Sequence, residues 1–305
     1  MNLGIEIGGT KLQLVLGNGS AEIADGRRLA VNPALGAAGI RDQIQRAIPE
    51  LLAGRELAGV GVGFGGPVDW RTGQIARSHQ IEGWSGFDLA GWLRALTGAA
   101  VAVDNDANVA ALGEAVRGAG AGRDPVFYAT LGSGVGGGLV AGGKIYHGAS
   151  PGESELGHVR LDRDGTTLES RCSGWAVDAR IRELKARNPH GLLARLSAGG
   201  AGGEASHLEA AFRQGDDDAR LILSESAAAL ALGLSHVVHL FHPAVIVLGG
   251  GLSKVGEPLR EAVEGALRPL LMEVFHPGPP VCLSALGEGA VPAGALLLAS
   301  LASAG

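Results

Sequence analysis

Three side chains that can bind ligands or exchange protons lie in the stretch 152–174, GESELGHVRLDRDGTTLESRCSG. Glu155 and His158 are three residues apart, and Glu169 follows eleven residues after the histidine. Carboxylate and imidazole groups can bind a metal ion, hold the hydroxyl groups of a polar ligand, or form an ordinary charged turn. The spacing by itself leaves these three alternatives open.

A second polar group, DNDAN from Asp104 to Asn108, lies where a predicted strand at 101–103 passes into a predicted helix. Aspartate and asparagine cap helix starts, so one of these residues is expected to serve only as a cap. Four cap-type residues in five positions exceed that need. An enzyme that transfers a phosphoryl group to a hydroxyl requires a carboxylate to take the hydroxyl proton, and Asp106 is the candidate.

Glycine is strongly over-represented, with 52 residues among 305 against an average usage of about 7%. Many of the glycines cluster at the ends of apolar runs, at 8–9, 61–66, 132–138 and 249–251. Glycine lets the backbone approach a ligand closely. Repeated units of a strand followed by glycines therefore predict several loops around one small molecule.

Two predicted hairpins, one in each half of the chain, have glycine-rich turns. The first joins strands at 3–7 and 12–16 through Gly8-Gly9-Thr10-Lys11, and the second joins 126–131 to 138–141 around GSGVGGG. Such turns can offer backbone N–H groups to a phosphate chain. A Gly-Gly-Thr turn also occurs in ordinary hairpins, but the second turn and the glycines at 249–251 together favour phosphate binding.

The other segments alternate between predicted helices and strands. Helices are predicted at 40–52, 89–96, 108–117, 177–185, 208–212, 219–241, 257–271 and 291–302, and strands at 60–64, 101–103, 245–248 and 281–284. This order predicts an α/β protein in which the hairpin occurs twice. A chain of 305 residues exceeds the usual size of one core, so two domains are expected.

Composition argues against several classes of partner. The net charge is −6 and the 25 basic residues are scattered singly, so neither nucleic acid nor an anionic membrane is expected to bind. The first apolar segment is interrupted by Gly4 and Glu6 and has no charged leader, so a cytoplasmic protein is expected. Cys172 and Cys282 match no disulfide or metal spacing, which predicts free, buried thiols.

The chain resembles the ROK family (repressors, open reading frames, kinases) over nearly its whole length. The family markers occur in order, as IEIGGTK at 5–11, GGPVD at 65–69, NDAN at 105–108, LGSGVGGG at 131–138, ELGH at 155–158 and VLGGG at 247–251. The resemblance implies the duplicated actin-like ATPase (ribonuclease H-like) fold, with two lobes around a central cleft. It implies a small lobe at 1–118, completed by a helix at 289–305, and a large lobe at 119–288.

The resemblance also implies a function, namely ATP-dependent phosphorylation of a hexose, glucose or a close relative, at its primary hydroxyl. It makes Asp106 the general base and places around the sugar Gly65, Asn105, Glu155, His158 and Glu169. It places around the nucleotide Gly8, Gly9, Thr10, Lys11, Gly132, Ser133, Gly134, Gly249, Gly250 and Gly251. Mg²⁺ is expected to arrive with ATP, with Glu6 as an indirect ligand, and a homodimer is expected.

Two alternatives remain beside this function. The chain could phosphorylate fructose, mannose or an amino sugar instead of glucose, or it could be a sugar sensor without transferase activity. Family repressors carry a DNA-binding helix-turn-helix before the first phosphate loop. Here that loop begins at Ile5, so a DNA-binding regulator is not expected.

Three departures from the family pattern accompany the resemblance. Glu6 replaces the usual aspartate, which could shift the Mg²⁺ water shell, and Gln80 replaces the usual asparagine, which could change the choice of sugar. The family's Cys-x-Cys-Gly-x-x-Gly-Cys run is absent, because only ten residues, none of them cysteine, separate His158 from Glu169. We therefore predict no structural zinc. The acids found here instead, Asp162, Asp164 and Glu169, are oxygen ligands better suited to Mg²⁺ or Ca²⁺. The alternative is that they form a solvated acidic turn.

Overall fold

The computed structural model describes residues 1–78, 81–149, 152, 154–199 and 202–304, so the predicted role of Gln80 concerns a residue outside the described ones. The strands are β1 Asn2–Ile7, β2 Lys11–Gly17, β3 Ile23–Ala30, β4 Gly59–Phe64, β5 Val68–Asp69, β6 Gln74–Ile75, β7 Ala100–Asn105, β8 Val126–Leu131, β9 Val135–Ala141, β10 Lys144–Ile145, β11 Val245–Gly249 and β12 Val281–Leu283. The helices are α1 Gly36–Leu52, α2 Leu89–Thr97, α3 Asp106–Arg117, α4 Glu169–Cys172, α5 Gly174–Arg187, α6 Leu192–Leu196, α7 Leu208–Arg213, α8 Asp217–Phe241, α9 Glu257–Leu267 and α10 Ala290–Ala304.

The chain divides into two compact units. The first comprises 1–122, 138–154 and 285–305, and the second comprises 123–137 and 155–284. The lobe boundaries that the family resemblance implies, 1–118 with 289–305 and 119–288, stay a prediction.

The first unit is built on a five-stranded sheet with the order β3-β2-β1-β4-β7. β1 is antiparallel to β2 and parallel to β4, with Ile5 opposite Leu14 on one side and Val62 on the other. Every residue of β1 and β4 is buried, as expected for strands covered on both faces. α1 contacts β2 and β3, and α10 contacts β1, β4, β7 and α3.

Glycines bring β4 and α10 into direct backbone contact. A Cβ atom at Gly61 would lie 2.7 Å from the backbone nitrogen of Ala299, and one at Gly59 would lie 3.2 Å from the carbonyl carbon of the same residue. At Gly63 a Cβ atom would collide with the side chain of Val291. The prediction that the glycines at 61–66 surround a ligand is therefore wrong for Gly61 and Gly63, which are required for packing.

The second unit contains β8, β11 and β12, with β11 between the other two and parallel to both. α8 packs against α9 and α5. By length and composition α8 could cross a membrane, but 61% of its most apolar window is buried. That burial is typical of the core helix of a globular domain.

Candidate active site

The junction between β7 and α3 holds the polar group DNDAN. Asn105 is the N-cap of α3, and its Oδ1 accepts the backbone N–H groups of Ala107 and Asn108 at 2.9 and 3.4 Å. Its Nδ2 donates to the carbonyl oxygen of Gly66 at 3.2 Å. The expectation that one of these residues serves as a cap is confirmed for Asn105, so its predicted role as a sugar ligand would come in addition to capping.

Asp106 is the first residue of α3 and is half-buried. Gly65 lies beside it, since a Cβ atom at Gly65 would be 3.5 Å from Oδ2 of Asp106 and 3.7 Å from the Cα atom of Gly8. The backbone N–H of Gly65 also donates to Ile7 at the end of β1. The first unit therefore places the Asp106 carboxylate beside the first glycine-rich turn, with Gly65 between them.

The first turn carries a charged pair. Nζ of Lys11 lies 2.9 Å from Oε1 of Glu6, and Nε2 of Gln13 donates to Oε2 of the same carboxylate at 2.6 Å. The turn closes with a hydrogen bond from Gly8 N–H to the carbonyl oxygen of Lys11 at 2.9 Å. Both oxygens of Glu6 thus have donors, and the charge of Lys11 is partly balanced before any phosphate binds.

In the second unit, the N-terminal residues of α4 and α5 hold the turn Gly132-Ser133-Gly134. The backbone N–H of Gly174, at the start of α5, donates to the carbonyl oxygen of Gly132 at 2.7 Å. Oε2 of Glu169, the first residue of α4, accepts the backbone N–H of Val135 at 2.9 Å. The carboxylate that the resemblance assigns to sugar binding therefore also fixes the glycine-rich turn.

The glycines at the end of β11 pack against the same turn. Gly250 has φ of +84°, and a Cβ atom there would lie about 2.5 Å from the backbone of Leu131. Oγ of Ser253 donates to the carbonyl oxygen of Gly250 at 2.7 Å. Only glycine allows this conformation and this close approach, so the Gly-rich segments of β8–β9 and β11 form one backbone surface in the second unit.

Glu155 is the N-cap and His158 the last residue of a single turn of 3₁₀ helix, and both are exposed. Gly157 between them packs closely on the carbonyl of Val135, and a Cβ atom there would lie 3.4 Å from the Cβ atom of Glu169. The second unit therefore brings the ELGH turn, Glu169 and the second glycine-rich turn together.

The segment that lacks the family's cysteines closes on itself through backbone hydrogen bonds. Leu168 N–H donates to Val159 at 2.9 Å, and Leu161 N–H donates to Thr166 at 2.8 Å. Hydrogen bonds from the side chain and the backbone of Thr166 lower the pKa of Asp162. The same hydrogen bonds stabilise the turn between the two residues. Among the described residues no group of three or more His, Cys, Asp or Glu side chains could hold a metal ion.

Cys172 is buried at the end of α4, and its Sγ donates to the carbonyl oxygen of Leu168 at 3.3 Å. Burial, with a smaller contribution from the negative charge of Glu169, raises the pKa of this thiol to about 12. A thiol that stays protonated at neutral pH is a poor nucleophile. Cys282 is half-buried rather than buried, because β12 lies at the edge of its sheet.

Comparison with known proteins identifies the family. The ROK family model matches residues 2–301. The chain is 32% identical over 289 residues to the glucokinase of Thermotoga maritima, with 90% of each chain covered. It is 31% identical over 319 aligned positions to the kanosamine kinase of Amycolatopsis mediterranei, covering 100% of this chain and 97% of that one.

Solved structures include a close match in fold. The crystal structure of a ROK family glucokinase from Streptomyces griseus in complex with glucose and AMPPNP superimposes with a TM-score of 0.87 at 32% identity. The superposition covers 98% of this chain and 99% of that chain.

Proposed function

The chain belongs to the ROK family, and from that premise we propose that it transfers the γ-phosphoryl group of ATP to the primary hydroxyl of a hexose, glucose or a close relative. The observation that carries the proposal is the position of Asp106, a carboxylate beside Gly65 and the first glycine-rich turn. Relatives at 31–32% identity named glucokinase and kanosamine kinase support it.

Asp106 acts as the general base. Its carboxylate accepts the proton of the attacking hydroxyl as the bond between that oxygen and the γ-phosphorus forms. Asn105 and Gly65 in the first unit, and Glu155, His158 and Glu169 in the second, are the sugar ligands. Carboxylate, imidazole and amide groups suit a polyol because each can bind hydroxyl groups in a fixed geometry.

The glycine-rich turns bind the nucleotide. In the first unit Gly8, Gly9 and Thr10 offer backbone N–H groups and a hydroxyl, and Lys11 supplies a positive charge. In the second unit the phosphate ligands are Gly132, Ser133 and Gly134, and the segment near adenosine is Gly249, Gly250 and Gly251.

Mg²⁺ enters with ATP and neutralises charge on the phosphate oxygens. Glu6 fits an indirect role, since Mg²⁺ in such sites keeps several waters and uses few carboxylates. Its carboxylate is held beside the first turn by Lys11 and Gln13, where it can accept hydrogen bonds from metal-bound water.

The proposal also covers metal content, assembly, location, partners and lobe boundaries. The protein works without structural zinc, as a homodimer in the cytoplasm, and neither nucleic acid nor a membrane is a partner. Its small lobe is 1–118 with the helix at 289–305, and its large lobe is 119–288.

Asp106→Asn tests the assignment of the base. The amide keeps the size of the side chain but cannot take a proton, so kcat should fall by roughly 10²- to 10⁴-fold while hexose binding changes little. Rates come from a coupled ADP-release assay and binding from calorimetry. Asp42→Asn, at an exposed position on α1, is the matched control. Substantial residual turnover in the Asp106 variant would remove Asp106 from this role.

An amino-sugar substrate is the second candidate, favoured by the similarity to kanosamine kinase over the whole chain. A panel of glucose, mannose, fructose and amino sugars in the same assay separates the candidates by kcat/KM. Equal background rates with every sugar would favour a sensor without transferase activity.

A further inference from the structure

His147, in the loop after β10, makes a short contact with the β7–α3 junction. Its Nε2 lies 2.5 Å from Oδ2 of Asp104. The two side chains are only 15% and 4% exposed. Because a carboxylate only accepts hydrogen bonds, the imidazole is the donor, and the bond is largely shielded from water.

The Asp104 carboxylate connects this histidine to the residues on either side of Asp106. Its Oδ1 accepts the backbone N–H of Asn105 at 2.8 Å and Nδ2 of Asn108 at 3.0 Å. His147 is the donor at the other oxygen. Removal of that donor would leave a buried carboxylate oxygen without this partner, which is costly in a low dielectric.

Trp70 fixes the plane of the imidazole. The two rings are stacked with centroids 4.1 Å apart and 13° between their planes, and the guanidinium of Arg71 lies 5.3 Å from the Trp70 ring centroid. Trp70 directly follows β5, which begins three residues after Gly65. The orientation of the histidine is thus set by the segment that also lines the candidate sugar site.

We propose that His147 is a positioning residue for Asp106. Through Asp104 it fixes the backbone of Asn105 and the side chain of Asn108, and so the angle at which α3 presents its first residue. The expected effect of His147 on turnover rests on the proposed function, whereas its effect on the position of Asn105 and Asn108 does not. No motif or spacing in the sequence singles out His147.

Two substitutions separate the hydrogen bond from the ring. His147→Phe keeps an aromatic ring against Trp70 but removes the donor, and His147→Gln restores an N–H donor without the ring. A displacement of a catalytic group by about 1 Å can cost up to about 100-fold in rate.

We expect kcat to fall by roughly 10- to 100-fold in His147→Phe, with KM for ATP within about threefold of the wild-type value. We expect His147→Gln to recover most of kcat. His190→Phe, at an exposed histidine of the second unit, controls for the substitution itself.

Hydrogen exchange followed by mass spectrometry provides the second measurement and needs no turnover. His147→Phe should accelerate exchange of the backbone amides of Asn105 and Asn108, and His147→Gln should restore their protection. A wild-type chain that phosphorylates no hexose would refute the proposed function, and this exchange measurement would then decide the positioning claim. The positioning claim would be overturned if His147→Phe kept the wild-type exchange rates and the wild-type kcat. It would also be overturned if His147→Phe and His147→Gln lost kcat and amide protection to the same extent.

Discussion

Gly61→Ala tests the backbone contact between β4 and α10. The new methyl carbon would lie 2.7 Å from the backbone nitrogen of Ala299 and still closer to the carbonyl oxygen of Ala295. Neither atom can rotate away, because both belong to the backbone of a helix. Ordinary contact begins near 3.4 Å, so α10 must move by at least about 0.7 Å to clear the nitrogen of Ala299, and by more to clear the carbonyl oxygen of Ala295.

The displacement has a large energetic cost. α10 packs against four strands of the sheet and against α3, so moving it disturbs several interfaces together. Overpacking a core typically costs about 1–3 kcal/mol, and a backbone collision belongs at the upper end of that range. For a domain of this size, about 3 kcal/mol corresponds to a fall in Tm of roughly 6–12 °C.

Thermal unfolding monitored by circular dichroism measures this loss, and Gly265→Ala provides the matched control. Gly265 lies exposed in α9, and an added Cβ atom would meet nothing within 4 Å. Alanine should stabilise that helix by about 0.5–1 kcal/mol. The two substitutions should therefore shift Tm in opposite directions. A Gly61→Ala chain that melts at or above the wild-type Tm would refute the close packing of α10 on β4.

Three further predictions concern the second unit. Glu169→Ala should raise KM for ATP by roughly fivefold, because the N–H of Val135 loses an acceptor worth about 1 kcal/mol. Glu169→Gln should leave KM for ATP unchanged and raise only KM for the hexose. If each variant changed both KM values equally, Glu169 would not have separate roles in holding the turn and in binding the sugar. The pKa of Cys172 is raised from 9.0 to about 12, so this group lowers the free energy of unfolding as pH rises between these values. That alkaline slope in urea titrations should be shallower in Cys172→Ala, and identical slopes would argue against a buried thiol. Metal analysis of the purified protein should find no stoichiometric zinc, and a full equivalent would show that the loop after His158 is wrongly aligned.

Most of the regular elements could be predicted because their apolar periodicity is strong. The first hairpin, predicted at 3–7 and 12–16, is Asn2–Ile7 and Lys11–Gly17. The strand at 126–131 was predicted with its observed bounds. The predicted α/β class and actin-like ATPase fold are confirmed by the family match and the glucokinase structure.

β3 was missed for a physical reason. Its sequence, IADGRRLA, has mostly exposed residues and no alternation of apolar and polar positions. It lies at the edge of the sheet and, within the described part of the chain, pairs only with β2, so backbone hydrogen bonds rather than buried side chains define it. The helix predicted at 257–271 ends instead at Leu267, where Pro269 turns the chain into a 3₁₀ segment.

The candidate site was predictable as a set of motifs but not as a set of contacts. Asp106 was identified by residue type at a strand-to-helix junction. His147 and Trp70 were not, because their contacts with Asp104 and with each other join segments 43 and 77 residues apart in sequence. The glycines show the same limit, since residue type alone does not distinguish Gly65 beside Asp106 from Gly61 beneath a helix.

The contact between β4 and α10 has a consequence for synthesis on the ribosome. About 230 residues separate Gly61 from Ala290, which corresponds to roughly 10–50 s of translation. During that time α3 can pack near Gly63, but the part of the glycine-lined face of β4 that α10 covers has no helix on it. A nascent chain of the first unit therefore exposes an uncovered sheet face to chaperones and to other nascent chains until α10 has been made.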